Sequence, residues 1–136
     1  MSSLQLEIVT PEARIFTGSA QMVIAPGVEG GLGILPDHMP LMTEILPGEV
    51  IVTTEDDELS FAVGGGFLEV LPDRVSILTD MAIVEGEIDE KAAEEAVARA
   101  EQEMRDKVLS GEELATVQAS LLRSLAQLRV KRRSHR

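Results

Sequence analysis

The side chains that could do chemistry are few and far apart in this sequence of 136 residues. There is no cysteine, and the two histidines, His38 and His135, lie in different parts of the chain. A zinc site requires three or four converging His, Cys or carboxylate ligands, and no HxH, HExxH or ExxH pairing is present. The sequence therefore predicts no metal site, and a metal-dependent enzyme of the cupin type is disfavoured.

The two glycine-rich segments do not have the form of phosphate-binding loops. Residues 30–33 and 64–66 lack the Gly-Lys-Ser/Thr ending and the following helix with which such loops hold phosphate. No G-x-S-x-G nucleophile elbow is present either. The acidic run at residues 55–58 lacks the spacing of a calcium-binding loop and is more typical of a solvated turn. We therefore expect a protein that is not an enzyme.

Charge is distributed very unevenly along the sequence. Residues 1–88 contain 15 acidic and two basic residues, whereas residues 114–136 contain six basic residues and no acidic one, and the net charge of the chain is −12. Phosphate backbones would repel so acidic a body, so nucleic acid is not expected as a partner. The basic C-terminal segment is interpreted either as a solvated helix end, where the helix dipole favours cations, or as a docking surface.

No run of 18 apolar residues is present, so the sequence predicts no direct membrane insertion. The N-terminus lacks a charged region followed by an apolar one, so we expect no targeting segment.

Short apolar runs separated by turn residues fill residues 1–87. Their alternating pattern and their spacing of 8–12 residues predict an all-β sandwich or flattened barrel of about ten strands. The glycines and prolines of residues 30–41 predict a strand that ends sharply in a shaped loop. The glycines at 64–66 predict a bulge or a close backbone approach before the next strand.

The hydrophobic period changes to that of helices at residue 88. Asp89 suits an N-cap, and Gly111 is predicted to stop the first helix. Residues 88–136 are therefore predicted to form an antiparallel two-helix hairpin. The expected apolar stripes are Ala93, Val97, Ala100, Met104 and Val108 in the first helix and Leu114, Val117, Leu121, Leu125 and Leu128 in the second.

Such a hairpin is marginally stable by itself, because helices of this length derive most of their stability from packing and an alanine face buries little area. A second surface, either the sandwich or a partner, should hold it. A weakly held element with two docking surfaces is a candidate conformational switch.

Three motifs resemble the epsilon subunit of the rotary proton-driven ATP synthase, which is called delta in mitochondria. Gly30 to Leu41 matches G-x-L-G-I-L-P-x-H-x-P-L without a gap, Gly65 to Val70 matches G-G-F-L-E-V, and Val9 to Pro11 matches V-T-P. Their order and spacing agree with the family, and the resemblance runs from about Leu4 to the C-terminus.

The resemblance implies a non-catalytic central-stalk subunit, peripheral on the cytoplasmic face of the bacterial plasma membrane or, alternatively, on the stromal face of the thylakoid. The sandwich would contact the gamma subunit and the proton-conducting c ring, and the hairpin, moving between folded and extended positions, would restrain ATP hydrolysis. The implied ring contacts are Glu29, Gly30, Gly33, Pro36 and His38. We expect the beta subunit to be reached by Arg123, Arg129, Arg132 and Arg133.

Two residues also have structural interpretations. His38 would hydrogen-bond backbone at its turn, and Asp89 would simply cap a helix. Some bacterial members of the family bind ATP through I/L-D-x-x-R-A, but here Ala92 occupies the arginine position. Lys91 lies about 100° away around the helix, which leaves Arg99 as a lone cation. We therefore expect no cofactor and weak or absent ATP binding.

A hypothesis of a different class uses the same fold. The chain would be a free-standing β-sandwich binding module, and the stripe from Leu114 to Leu128 would form a helical dimerisation tail. Sedimentation separates the two hypotheses, because the synthase subunit is expected to be a monomer when alone.

Overall fold

The computed structural model describes residues 3–134, which form ten strands, one 3-10 turn (Glu85–Glu87) and two α-helices, α1 (Glu90–Asp106) and α2 (Gly111–Ser134). The predicted β-sandwich followed by a helical hairpin is confirmed. The strands are β1 (Leu4–Val9), β2 (Arg14–Ala20), β3 (Met22–Gly27), β4 (Gly30–Ile34), β5 (Leu41–Ile45), β6 (Gly48–Thr53), β7 (Glu58–Val63), β8 (Gly66–Leu71), β9 (Arg74–Thr79) and β10 (Ala82–Val84).

The strands follow a path that folds over into two five-stranded layers. The first layer runs β4-β3-β6-β7-β10 and the second runs β5-β8-β9-β1-β2. The layers join where β3 and β5 share one residue pair, Gly27 opposite Ile45. Neighbouring strands are antiparallel except β1 and β9, which are parallel. Strand β4 pairs with β3 alone and therefore forms an edge.

Inward-facing side chains of both layers form one aliphatic core. Burial alternates along the strands as the sequence pattern predicts, for example at Leu4, Leu6 and Ile8 of β1. The few aromatic residues contribute one edge-to-face pair, Phe16 with Phe61, whose ring centroids are 5.7 Å apart. The sandwich thus has a continuous core that does not depend on the helices.

The hairpin lies on the outer face of the first layer. Helix α2 contacts β6 and β7, and α1 packs against α2. The apolar part of this contact is a small second cluster in which Ala62, Ile88 and Val130 are buried against Met81 and Ile83. The hairpin is therefore attached by little apolar area. Neither helix within residues 3–134 combines the length and the apolarity that crossing a membrane requires.

The hairpin differs from its prediction in three details. Gly111 does not stop the first helix: α1 already ends at Asp106, and Gly111 begins α2. Val108 lies in the connection between the helices and is fully exposed, so the first stripe ends before it. Leu125 is 42% exposed, while Ser124, Ala126, Leu128 and Val130 take the buried positions. The predicted cap is confirmed, because Asp89 Oδ1 accepts a hydrogen bond from Ala92 N at 3.0 Å.

Candidate interaction surfaces

An apolar row crosses the outer face of the second layer. Phe67 of β8 lies opposite Leu78 of β9, and Leu78 pairs in turn with Val9 of β1. Phe67 is 57% exposed and Leu78 is 52% exposed, and Met42 on the neighbouring strand β5 is 67% exposed. Large apolar side chains grouped on one face of a sheet mark an interaction site more often than single exposed ones do. We call Val9, Met42, Phe67 and Leu78 the apolar row.

A groove of about 360 Å³ continues the row at the end of the layer. Its lining is mostly apolar, and Val9 and Leu78 belong to both the groove and the apolar row. It carries one charged side chain, that of Asp80. The other lining residues are Val9, Thr10, Pro11, Gly65, Gly66 and Thr79.

The glycine bend at residues 64–66 forms one wall of this groove, and the close backbone approach predicted for it is present. A Cβ on Gly66 would overlap the backbone of Leu78 and Thr79, and one on Gly64 would overlap the carboxylate of Asp80. The buried hydroxyl of Thr79 lies 2.9 Å and 3.1 Å from the carbonyl oxygens of Gly64 and Gly65, and it fixes the bend. Sequence reasoning missed Thr79, because a threonine at a strand end carries no distinctive signal.

Asp80 borders both the groove and the hairpin. Its side chain is 50% exposed and accepts a hydrogen bond from Arg123 Nη1 of α2 at 3.4 Å. Asp80 was also missed by sequence reasoning, since its partner lies 43 residues away along the chain. Asp80 therefore links the groove in the second layer to helix α2.

The C-terminal turn of α2 is held by a charged contact with the first layer. Arg133 donates from Nε to Glu49 Oε2 at 2.9 Å and from Nη2 to Ser60 Oγ at 3.1 Å, and Nη2 lies 2.7 Å from the same carboxylate oxygen. The hydrogen bond with Glu49 raises the pKa of Arg133. The Glu49 side chain is only 12% exposed, so this pair is partly shielded from water.

The other three arginines predicted to reach a partner have different environments. Arg123 pairs with Asp80, as described. Arg132 lies 3.3 Å from Glu90 and 3.5 Å from Glu94, both on α1. Arg129 is exposed. Most of the proposed basic surface therefore faces carboxylates of this chain in this conformation.

The predicted ring-contact residues all lie on or beside the edge strand β4. Glu29 precedes it, Gly30 and Gly33 lie in it, and Pro36 and His38 follow it. The two ends of this five-residue strand are about 16 Å apart. Gly30 has a φ of 122°, which glycine adopts without strain.

The ring of His38 makes the backbone hydrogen bond that its structural interpretation predicts. Its Nδ1 donates to the carbonyl of Met39 at 2.7 Å, which fixes the ring at the turn. In the acidic run, residues 55–57 occupy the exposed β6–β7 turn and Glu58 begins β7. The other histidine, His135, lies outside the described residues.

The residues considered for ATP do not form one site. Asp89 is engaged as the cap of α1, Ala92 is exposed, and ten residues separate Asp89 from the exposed Arg99, a rise of about 15 Å. Within residues 3–134 no three His, Asp or Glu side chains come together in a way that could hold a metal ion.

Comparisons with known proteins agree with this architecture. The family model for the ATP synthase delta/epsilon chain beta-sandwich domain matches residues 3–85, and the one for the long alpha-helix domain matches residues 87–132. The ATP synthase epsilon chain of Dehalococcoides mccartyi is 47% identical over 99% of this chain and 98% of its own length. That of Halorhodospira halophila is 46% identical over 95% and 92%.

Solved structures show the same fold at much lower identity. A chain of the mitochondrial ATP synthase OSCP/F1/c-ring structure from Euglena gracilis superposes with a TM-score of 0.75 at 20% identity, covering 90% of this chain and 77% of the other. A chain of the central stalk/c-ring structure from Tetrahymena thermophila gives 0.60 at 12% identity, covering 98% and 96%. The resemblance drawn from the three sequence motifs is thereby confirmed, and the chain belongs to the ATP synthase delta/epsilon chain family.

Proposed function

We propose that this chain is the non-catalytic epsilon subunit in the central stalk of a bacterial ATP synthase, on the cytoplasmic face of the plasma membrane. Residues 1–87 are the domain that links rotor parts, and residues 88–136 are the regulatory domain. The observation that carries the proposal is the similarity over nearly the whole chain to bacterial proteins named ATP synthase epsilon chain.

The apolar row is the surface proposed to bind the gamma subunit. It offers exposed Phe67, Leu78 and Met42 on a rigid sheet, and the groove beside it accepts further side chains. Aromatic and aliphatic anchors of this kind contribute most of the free energy of protein association. The hairpin contacts the opposite layer, so it leaves this face accessible in the compact form.

The test is binding of the purified gamma subunit to the full-length chain by calorimetry. Replacing Phe67 and Leu78 together by serine is expected to weaken binding about tenfold or more, because exposed anchors are lost without loss of core packing. Val108→Ser is the matched control, since Val108 is a fully exposed apolar residue at the far tip of the hairpin. Equal affinities for the double variant and the control would reject this surface.

The c ring is proposed to lie along the edge strand β4. This arrangement accommodates Glu29 and His38 in one contact although they lie at opposite ends of the strand. The glycines between them support it, because Gly31 and Gly33 are exposed and present bare backbone with open space above it. An edge strand with unpaired backbone groups readily receives a partner chain.

The hairpin is proposed to restrain ATP hydrolysis when α2 leaves the sandwich and turns its arginines toward acidic segments of a beta subunit. Individual ion pairs at an exposed rim are weak and screened by salt, so several arginines must act together. Truncation after Gly111 removes them all and is expected to raise the ATPase activity of the assembled enzyme. Unchanged activity in enzyme that retains the truncated chain would contradict a restraining role.

We further propose that this chain does not use ATP as a ligand. Asp89 is occupied as a helix cap, and Ala92 cannot reach a phosphate. Isothermal titration of the isolated chain with Mg-ATP is expected to give no saturation in the micromolar range, and a micromolar dissociation constant would overturn this proposal.

The dimerisation module is disfavoured, because the similarity to ATP synthase epsilon chains covers nearly the whole chain, the helical segment included.

A further inference from the structure

We infer that Asp80 couples the groove to the hairpin: a basic side chain of the partner that enters the groove competes with Arg123 for the Asp80 carboxylate. The inference rests on the proposed function, in which the gamma subunit docks on the apolar row. It adds a chemical requirement for the docking segment, which must carry an apolar side chain followed by a lysine or arginine. It also implies that binding of this segment weakens the attachment of the helices to the sandwich.

The geometry around Asp80 supports two alternative partners for one carboxylate. The side chain lines the groove and is half exposed, so an incoming group can reach it. At the same time Oδ2 holds Arg123 Nη1 at 3.4 Å, a separation longer than that of a tight charged hydrogen bond. The absence of a side chain on Gly64 lets the carboxylate sit at this position, since a Cβ there would overlap Oδ1. A competing cation therefore meets a carboxylate that is well placed and loosely held.

The charge around the apolar row indicates a basic partner. Glu44 lies opposite Phe67, and Glu69 lies opposite Met42, so carboxylates lie beside the apolar row. Asp80 adds a further carboxylate in the groove. Residues 1–88 contain 15 acidic residues against two basic ones, so little on the sandwich itself can neutralise them. Complementary charge at the rim of an interface selects and orients the partner.

The competition makes partner binding and hairpin docking mutually weakening. Linkage requires that the two effects be equal. A docked hairpin lowers the affinity for the partner by a certain factor, and a bound partner lowers the equilibrium constant for hairpin docking by the same factor. Within residues 3–134, Arg123–Asp80 is one of three ion pairs that join α2 to residues 1–87, the others being Arg133–Glu49 and Lys131–Glu85. Losing one of the three therefore changes the affinity only a few-fold. Binding of the partner thus weakens the attachment of the hairpin to the sandwich without detaching it.

The test compares the two halves of the same ion pair in calorimetric binding of the gamma subunit to the full-length chain. Arg123→Gln frees Asp80 for the partner and is expected to tighten binding about two- to threefold. Asp80→Asn removes the negative charge that would bind the partner's basic side chain and is expected to weaken binding about three- to tenfold. If Asp80 merely held the hairpin, the two substitutions would break one contact and change the affinity in the same direction.

The controls separate this coupling from folding and from the proposed function. Arg133→Gln loosens the hairpin through a different pair but leaves Arg123 on Asp80, so by linkage it should tighten binding less than Arg123→Gln does. Arg123→Lys restores a competing cation and should return the affinity to the wild-type value. Thermal unfolding of each variant verifies that it folds. Shifts of the same sign, or no shift, for Arg123→Gln and Asp80→Asn would overturn the coupling while leaving the docking surface intact. Failure of the wild-type chain to bind gamma would instead overturn the proposed function.

Discussion

Glycine is required at residue 66 by the backbone that lies against it, whereas the stability of the fold does not require glycine at residue 33. A Cβ at 66 would overlap the carbonyl oxygen of Leu78, which cannot move without breaking the β8–β9 ladder. At 33 a Cβ would meet no atom within 4 Å. Gly66→Ala is expected to lower the free energy of unfolding by about 1–3 kcal/mol, as overpacking does. Gly33→Ala should stay within about 0.5 kcal/mol of the wild type.

Urea denaturation of both variants, followed by circular dichroism, measures this difference. Equal midpoints for the two alanine variants would show that the bend at residues 64–66 relaxes more easily than its contacts indicate. The control is close, because both glycines lie in strands and neither has a positive φ.

Single residues also show where sequence reasoning stops. The alternating aliphatic pattern of the strands predicts the core, because burial on one face of a sheet leaves a period of two in the sequence. The importance of Thr79 and Asp80 is not predictable in this way. Their partners, Gly64 and Arg123, are 15 and 43 residues away, and no local pattern encodes a hydrogen bond over that distance.

At the scale of elements, a capping box that the sequence analysis overlooked sets the start of α2. Ser110 Oγ accepts from Glu113 N at 3.2 Å, and Glu113 Oε1 accepts from Ser110 N at 3.2 Å. Gly111 alone predicts a helix stop, because glycine often ends helices. A serine three residues before a glutamate is the stronger signal here, and it places the connection earlier, at residues 107–110.

This capping box gives the hairpin a pH dependence whose sign is fixed by Glu113. Hydrogen bonds from Ser110 lower the pKa of Glu113 in the folded chain. The cap therefore contributes stability above the ordinary glutamate pKa of about 4.3, and this contribution is lost as pH falls through the lower, folded value. NMR titration of the Glu113 side chain should give a pKa below that range in the wild type. In Ser110→Ala the pKa should rise toward it, because the contribution of the Ser110 hydroxyl is lost. Identical values in the two proteins would show that this hydroxyl does not lower the pKa of Glu113.

For the whole molecule, the two parts are held by different physical means. The sandwich is stabilised by one continuous aliphatic core. The hairpin is attached through a cluster of three buried residues and through ion pairs on a strongly acidic surface. Hydrophobic burial is insensitive to moderate salt, whereas the ion pairs are screened. The sequence predicts this division through its change of hydrophobic period, but the individual pairs that hold the hairpin emerge from the tertiary structure.

It follows that α2 opens before the sandwich unfolds, and that charge controls the opening. Amide hydrogen exchange should show α2 opening with a smaller free energy than the central strands. Arg133→Gln removes the contact with the nearly buried Glu49 and should lower the opening free energy of α2 by about 1 kcal/mol, or about fivefold in exchange rate. Raising the ionic strength from about 0.1 M to about 1 M shortens the Debye length from about 10 Å to about 3 Å and should act in the same direction.

Arg14→Gln is the control, because it breaks the exposed Arg14–Glu7 pair within the sandwich and should leave exchange in α2 unchanged. The expectation fails if exchange in α2 is as slow as in β6 and is unaffected by Arg133→Gln or by salt. The sandwich and the hairpin would then unfold as one unit.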